Sequence, residues 1–153
     1  MSIIIREFQP SDQYEVKTLI LNGLEEHFGF INPNLNSDLN DIMSRYLQTG
    51  HSFVVGEEDG EIVGTAGLVR VSAEVCRIVR IAVRADKRRA GIGRMLIEYL
   101  LQLASEKQFI KVLVETNLDW YDAIRLYERC GFQEYGRDEE SVHLSLTLSG
   151  EER

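Results

Sequence analysis

The chain predicts an α/β fold (α+β in the looser sense): a mixed central sheet of about six to seven strands flanked by about four helices. Three observations carry this prediction. Runs of β-branched residues recur along the 153 residues, segments with apolar spacing of three and four stand between them, and clusters of glycine, proline or asparagine separate the two kinds. The length is that of one ordinary domain, so residues 1–153 are expected to share a single core.

Taken in order, "SIIIREF" reads as a first strand. "SDQYEVKTLILNGLEEHF" then opens on Asp12 and Glu15, spaced as a capping box, and carries Val16, Leu19, Ile20 and Leu24 on one helical face. "GFINPNLN" breaks that pattern, and from Ser37 the residues Leu39, Ile42, Met43, Tyr46 and Leu47 draw a second helical stripe. "SFVVGE" and "EIVGTAGLVRV" flank Asp59-Gly60, a strong hairpin signal. "CRIVRIAV" is another strand, followed by a basic loop and a helix whose face is Ile92, Met95, Leu96, Tyr99, Leu100 and Leu103. The tail repeats the alternation: strand "IKVLVET", helix "WYDAIRLYERC" stopped at Gly131, and strands "FQEY" and "SVHLSLTL", with Val142, Leu144, Leu146 and Leu148 on one face.

Composition narrows the function. Hydrophobic residues at 44% and charged residues at 27% describe a globular chain, and no apolar run approaches a membrane span. "MSIIIREF" lacks the basic start and long apolar stretch of a signal peptide, so the expected compartment is cytoplasmic, with no membrane partner. Cys76 and Cys130 read as reduced, buried thiols, and nothing has metal-ligand spacing, so no metal is expected. The formal net charge of −8 argues against a nucleic-acid partner, and no helix-turn-helix signal is present.

Within this acidic chain, eight of the 17 basic residues lie at positions 70–94, and Arg84, Lys87, Arg88, Arg89 and Arg94 fall in one short segment. A solvated face is the ordinary meaning of such a cluster. Here the segment sits where a strand ends and a helix begins. The first N–H groups of a helix lack internal partners and carry the positive end of its dipole, and Gly91 and Gly93 let oxygens approach the main chain. The arrangement reads as a cradle for a pyrophosphate. It lacks the Lys-Ser/Thr ending of a P-loop and the acidic residue that grips a ribose.

"IAVRADKRRAGIGRML" resembles the acyl-CoA-binding motif of the GNAT superfamily of N-acyltransferases, in which a strand leads into Arg/Gln-x-x-Gly-x-Gly/Ala and a helix; Arg88, Gly91 and Gly93 stand at the three defining positions. "AIRLYERCGF", residues 123–132, resembles the second signature of that family, and the element order matches over nearly the whole chain. The resemblance implies an N-acetyltransferase that moves an acetyl group from acetyl-CoA to a primary amine of a small molecule or peptide, by direct attack in a ternary complex. Acetyl-CoA would lie where two strands splay apart, its pyrophosphate on the main chain of Arg88, Arg89, Ala90, Gly91, Ile92, Gly93 and Arg94. Main-chain groups of Ile81, Ala82 and Val83 would pair with the pantetheine arm, and an N–H near Ile81 or Ala82 would polarise the thioester carbonyl. Tyr127 matches the tyrosine that protonates the departing thiolate, whereas Gly131 and Phe132 look structural.

Two positions depart from the family pattern. Many members carry a glutamate base six residues before the position of Val83, and Arg77 stands there, a residue that cannot accept a proton. Base catalysis would then come through water, from Glu74 or Glu115, or not at all. The asparagine expected three residues before Ala123 is Trp120, with Asn117 three residues earlier as the candidate for cofactor binding. The family's acceptor pocket nominates "GLEEHFGF" and "SVHLSL". Glu25, Glu26 and His27 suit a cationic amine, Arg77 suits a carboxylate, and plain surface solvation is the competing reading for all four. His27 and His143 are the histidines of these segments. An acetyl-CoA-binding sensor without transfer is the second class left open by Arg77, and the oligomeric state is open, a homodimer included.

Overall fold

The computed structural model describes residues 2–148, and its seven strands and four helices follow one another in the predicted order. The strands are β1 (Ile3–Glu7), β2 (Ser52–Glu58), β3 (Glu61–Arg70), β4 (Val75–Val83), β5 (Lys111–Asn117), β6 (Gln133–Arg137) and β7 (Ser141–Thr147). They hydrogen-bond in the order β1-β2-β3-β4-β5-β7-β6. The sheet is mixed: β4 and β5 run parallel, while β1 with β2, β5 with β7 and β6 with β7 are antiparallel. The helices are α1 (Gln13–Phe28), α2 (Ile42–Arg45), α3 (Ile92–Glu106) and α4 (Tyr121–Arg129). Among the described residues no helix is long and apolar enough to cross a membrane. The chain divides into two compact units, one running to Gly67 and taking in Arg80–Leu96, the other made of Leu68–Val79 and the residues from Ile97 on.

In the first unit, the hairpin of β2 and β3 turns through Asp59 and Gly60 at φ 53° and 82°, the two left-handed residues that the tightest hairpin turn requires. Phe53 of β2 is wholly buried and meets the rings of Phe8 at 5.8 Å and Tyr46 at 5.0 Å. A Cβ on Gly64 would stand 2.8 Å from Leu96 and 3.0 Å from Ile92, so the missing side chain is what lets the first turn of α3 lie directly on β3. Helix α1 buries Val16, Leu19 and Ile20, as its spacing predicts. Its start is different. Asp12 does not cap α1; its carboxylate accepts from Gln9 N–H at 2.8 Å and from Arg6 at 2.8 and 3.0 Å, and Glu15 instead accepts from Ile62 N–H at 2.9 Å. The charge-assisted bonds from Arg6 and the bond from Gln9 N–H occupy the carboxylate that would otherwise cap α1.

The second stripe is also corrected. In place of one helix the chain forms a 3₁₀ turn (Ser37–Asn40), the single turn α2 and a second 3₁₀ turn (Leu47–Thr49). Leu39, Ile42 and Tyr46 are still buried. Asp41 accepts from Ser44 N–H at 3.1 Å and so restarts the backbone as a fresh N-cap where a continuous helix would run through.

In the second unit, Cys76, Ile78, Val112, Val114, Val142 and Leu144 fill one face of β4, β5 and β7. Helix α4 packs on β5 and ends at Arg129; Gly131, two residues on, has a φ of 103° that suits glycine, and Phe132 is buried directly after it. Helix α3 has residues in both units; its buried positions are Ile92, Gly93 and Leu96 in the first and Ile97, Leu100 and Ala104 in the second, whereas the expected Met95 and Tyr99 are exposed. The buried stripe runs one position to the other side of the predicted face. Neither cysteine is in a disulfide among the described residues; Cys76 is buried, but Cys130 is only half-buried, against expectation.

Candidate functional site

The first unit places the basic loop as the sequence predicts. Strand β4 ends at Val83, a 3₁₀ turn spans Ala85–Lys87, and α3 starts at Ile92. Arg89 and Gly91 both take left-handed backbone, φ 67° and 83°. The first helical bond is Met95 N–H to Gly91 C=O at 3.0 Å, so the N–H groups of Gly91, Ile92 and Gly93 lie ahead of the ladder at the positive end of α3. At Gly91 nothing lies within 4 Å of where a Cβ would stand. Ala90 is exposed and Arg94 is exposed on the first turn.

The charge of the loop is not free. Arg84 pairs with Asp86 at 2.7 Å and Glu61 at 3.1 Å, Lys87 with the buried Glu58 at 2.7 Å, and Arg88 with Glu26 of α1 at 2.6 Å. Acids from α1, β2 and β3 thus neutralise most of what looked like a cationic patch. Among the described residues Arg89 has no ion pair. Glu26, nominated for the acceptor, is therefore a partner of Arg88. His27 is half-buried against the edge of Phe28, ring centres 4.6 Å apart, and Glu25 is exposed. A cavity of about 490 Å³ opens beside the loop, lined by Tyr14, Thr18, Asn22 and Glu26 of α1 and by Val83, Ala85 and Arg88.

Sequence reasoning missed what precedes the loop. Arg80 sits inside β4 with φ 55°, a conformation costly for a residue with a side chain. The Thr65 hydroxyl donates to its carbonyl at 2.8 Å, and pairing resumes where Arg84 N–H meets Val63 C=O at 2.8 Å. The Arg80 guanidinium holds Asp38 at 2.6 and 3.1 Å and Asn36 at 3.1 Å, and the Tyr46 hydroxyl donates to Asp38 at 2.5 Å. Burial alone would raise the Asp38 carboxyl; the bonds from Arg80 and Tyr46 overcome it and hold it below the usual carboxylate range. Ile81, Ala82 and Val83, all half-buried, follow this kink. One signal was available: Arg77 and Arg80, three apart in a strand, cannot share a face unless the strand is irregular.

In the second unit Tyr127 is 6% exposed and packs edge-on against Phe132, ring centres 5.9 Å apart. Burial pushes its hydroxyl well above the ordinary tyrosine range, so it is a phenol at any physiological pH, and among the described residues that hydroxyl has no hydrogen-bond partner. Asn117 ends β5, opposite Ser141, and its carbonyl accepts from Trp120 N–H at 3.1 Å. Glu74 is exposed in the turn before β4, its carbonyl taking the N–H groups of Ile110 and Lys111. Glu115 lies opposite His143, which stands 3.5 Å from it and 3.2 Å from Asp138. Arg77 is half-buried on β4 opposite Leu113. Burial pushes the Cys76 thiol up to about 12, so this group is no nucleophile. The described residues contain no group of three or more His, Cys, Asp or Glu able to hold a metal.

Comparison with known proteins bears on the family and the fold. The profile of the family described as Acetyltransferase (GNAT) matches residues 20–132. N-acetyltransferase family 8 member 2 of Rattus norvegicus is 33% identical over 107 residues, 67% of this chain and 47% of that protein. The chain spans about half the length of the curated relatives it matches. Among solved structures, a GNAT-family acetyltransferase from Staphylococcus aureus Mu50 superposes with a TM-score of 0.89 at 23% identity, covering 97% of this chain and 100% of that one. The PaiA N-acetyltransferase of Thermoplasma acidophilum, solved with coenzyme A, superposes at 0.85 with 13% identity, over 97% and 100% of the two chains.

Proposed function

The chain belongs to the GNAT acetyltransferase family, and on that premise we propose that it carries an acetyl group from acetyl-CoA to a primary amine of a small molecule or peptide. The observation that carries the reading is the strand–loop–helix at residues 83–94, where two left-handed residues open the positive end of α3 beside Arg89, which has no ion pair among the described residues. Main-chain N–H groups of residues 89–94 take the pyrophosphate, with Arg88 and Arg89 adding charge. Ile81, Ala82 and Val83 offer strand-like main-chain bonds to the pantetheine arm, and an N–H at Ile81 or Ala82 steadies the carbonyl oxygen as it gains charge. The amine nitrogen bonds to the thioester carbon, the C–S bond breaks, and Tyr127 gives its phenolic proton to the leaving thiolate. The amine sheds its surplus proton to water or Glu115, since Arg77 accepts none. Asn117 belongs to the cofactor side of this reading. The one-domain organisation over residues 1–153 and a cytoplasmic setting are part of the same proposal, the latter supported by the lack of a disulfide between Cys76 and Cys130.

A second reading, acetyl-CoA binding without transfer, is favoured by Arg77 alone. Calorimetric titration with acetyl-CoA, ATP and NAD, together with thiol release from acetyl-CoA across a panel of amines and peptides, separates the two. Acetyl-CoA is expected to bind far more tightly than ATP or NAD, and at least one amine to drive thiol release. Equal or tighter binding of NAD overturns the cofactor assignment; binding with no thiol release from any acceptor leaves the sensor.

A further inference from the structure

Arg77 is an arginine without a counter-ion among the described residues. Arg6, Arg80, Arg84, Arg88, Arg125 and Arg137 each meet a carboxylate at 2.6–2.8 Å. Arg77 has no hydrogen bond or ion pair among the described residues, and its Nε is completely buried without an acceptor. A buried cationic donor left unmade is costly, and since no described residue supplies an acceptor, the position is open to a ligand.

The register shows what surrounds it in the sheet. Along β4, Cys76 and Ile78 are buried on one face, so Arg77 belongs to the other. Arg77 stands beside Leu113 of β5, Leu113 beside Ser145 of β7, and Glu115, two residues on, beside His143. Arg77, Leu113, Glu115, Ser145 and His143 therefore share one face of the second unit. Glu115 keeps half its side chain exposed, and the ion-pair partner of its carboxylate among the described residues is His143, at 3.5 Å. Neighbouring strands and a two-residue step put the backbones of Arg77 and Glu115 about 8 Å apart, a span suited to a small ligand that carries opposite charges on two groups of one carbon.

We propose that this face is the acceptor subsite and that the acceptor is an α-amino acid, its carboxylate on the Arg77 guanidinium and its ammonium on Glu115. A guanidinium matches a carboxylate in a planar two-bond fork, and the ligand supplies the acceptor that Nε lacks. The assignment rests on the acetyl-transfer reading for what happens to the bound amine. It turns the departure at Arg77 into a specificity device: a residue useless as a base selects the acceptor.

The test is direct binding. The common L-α-amino acids are titrated into the full chain, with and without coenzyme A, each beside its carboxamide and its decarboxylated amine. At least one amino acid is expected to bind about 30-fold or more tightly than its carboxamide. Arg77→Gln erases that preference, and Arg77→Lys, keeping the charge but not the fork, restores part of it. Glu115→Gln weakens amino acid and amine alike and leaves the preference for the carboxylate. Melting curves confirm that each variant is folded; should Arg77→Gln not fold, a preference undiminished in Arg77→Lys overturns the proposal. It is equally overturned if no amino acid binds, if a carboxamide binds as tightly, or if folded Arg77→Gln keeps the preference. Thiol release is read separately. Carboxylate-dependent binding without thiol release refutes transfer and keeps the subsite; thiol release driven equally by amines lacking a carboxylate keeps transfer and refutes the subsite.

Discussion

Two residues decide opposite questions about the proposed reaction. Tyr127 has a buried ring, a hydroxyl held in its protonated form by burial, and no partner for that hydroxyl among the described residues. Removing the oxygen strands no donor or acceptor, so Tyr127→Phe is expected to melt within a degree or two of the parent. If the hydroxyl protonates the thiolate, kcat falls by one to two orders of magnitude, roughly 1.4 to 2.8 kcal/mol, at unchanged acetyl-CoA affinity. An unchanged kcat under conditions where chemistry limits the rate removes Tyr127 from the mechanism. Glu26 works in the other direction. It holds Arg88 at 2.6 Å, both side chains about half exposed, which makes the pair a minor contributor to stability. Pyrophosphate must share Arg88 with that carboxylate. Glu26→Gln is therefore expected to bind coenzyme A more tightly, by up to about five-fold or ~1 kcal/mol, in a calorimetric titration at low salt. Weaker binding in the variant would place the pyrophosphate away from Arg88.

At the scale of elements, what was legible in the sequence was what local periodicity encodes. Alternation fixed β7, with Val142 and Leu144 buried, and Asp59-Gly60 marked the β2–β3 turn, because both signals act between near neighbours. The glycine pattern of the candidate site was legible for the same reason. Long-range polar contacts were not. The stripe from Leu39 to Leu47 has helical spacing, yet Asp38 answers to Arg80, 42 positions away, and Tyr46 follows it, so the helix gives way to turns. The acids that neutralise the loop were invisible in the same way, and the kink at Arg80 left only the spacing of Arg77 and Arg80 to mark it. This latch makes its own prediction. Asp38→Asn leaves the largely buried Arg80 (side chain 19% exposed) facing a neutral amide, which is expected to destabilise the protein by about 1–3 kcal/mol and to lower Tm by roughly 3–10 °C. Asp122→Asn, removing an exposed pair with Arg125, serves as the control with no measurable change. Equal melting of the two variants would mean that the latch carries no stability.

For the whole molecule the governing quantity is charge. A formal net charge of −8 repels nucleic acid and anionic surfaces as a whole, while pairing with acids has already reduced the positive field of the one basic loop. The acids therefore set how the fold responds to pH. Burial would raise Asp12 and Asp38, but bonds from Arg6 and Gln9 N–H to the first, and from Arg80 and Tyr46 to the second, hold both below the ordinary carboxylate range. The unfolded chain, with these carboxyls near the usual value of about 3.9, then binds protons that the folded chain refuses. Their stabilisation is complete above that value and is lost as pH falls through it toward the depressed folded values. The denaturant midpoint is accordingly expected to stay level from pH 7 to about 5.5 and to drop steeply below about 4.5. The double variant Asp12→Asn, Asp38→Asn starts lower at neutral pH and descends more gently, because it has less to lose on protonation. A double variant whose midpoint falls as steeply with acid as the parent's would assign the acid sensitivity to other carboxylates and break the link between these two ion pairs and stability.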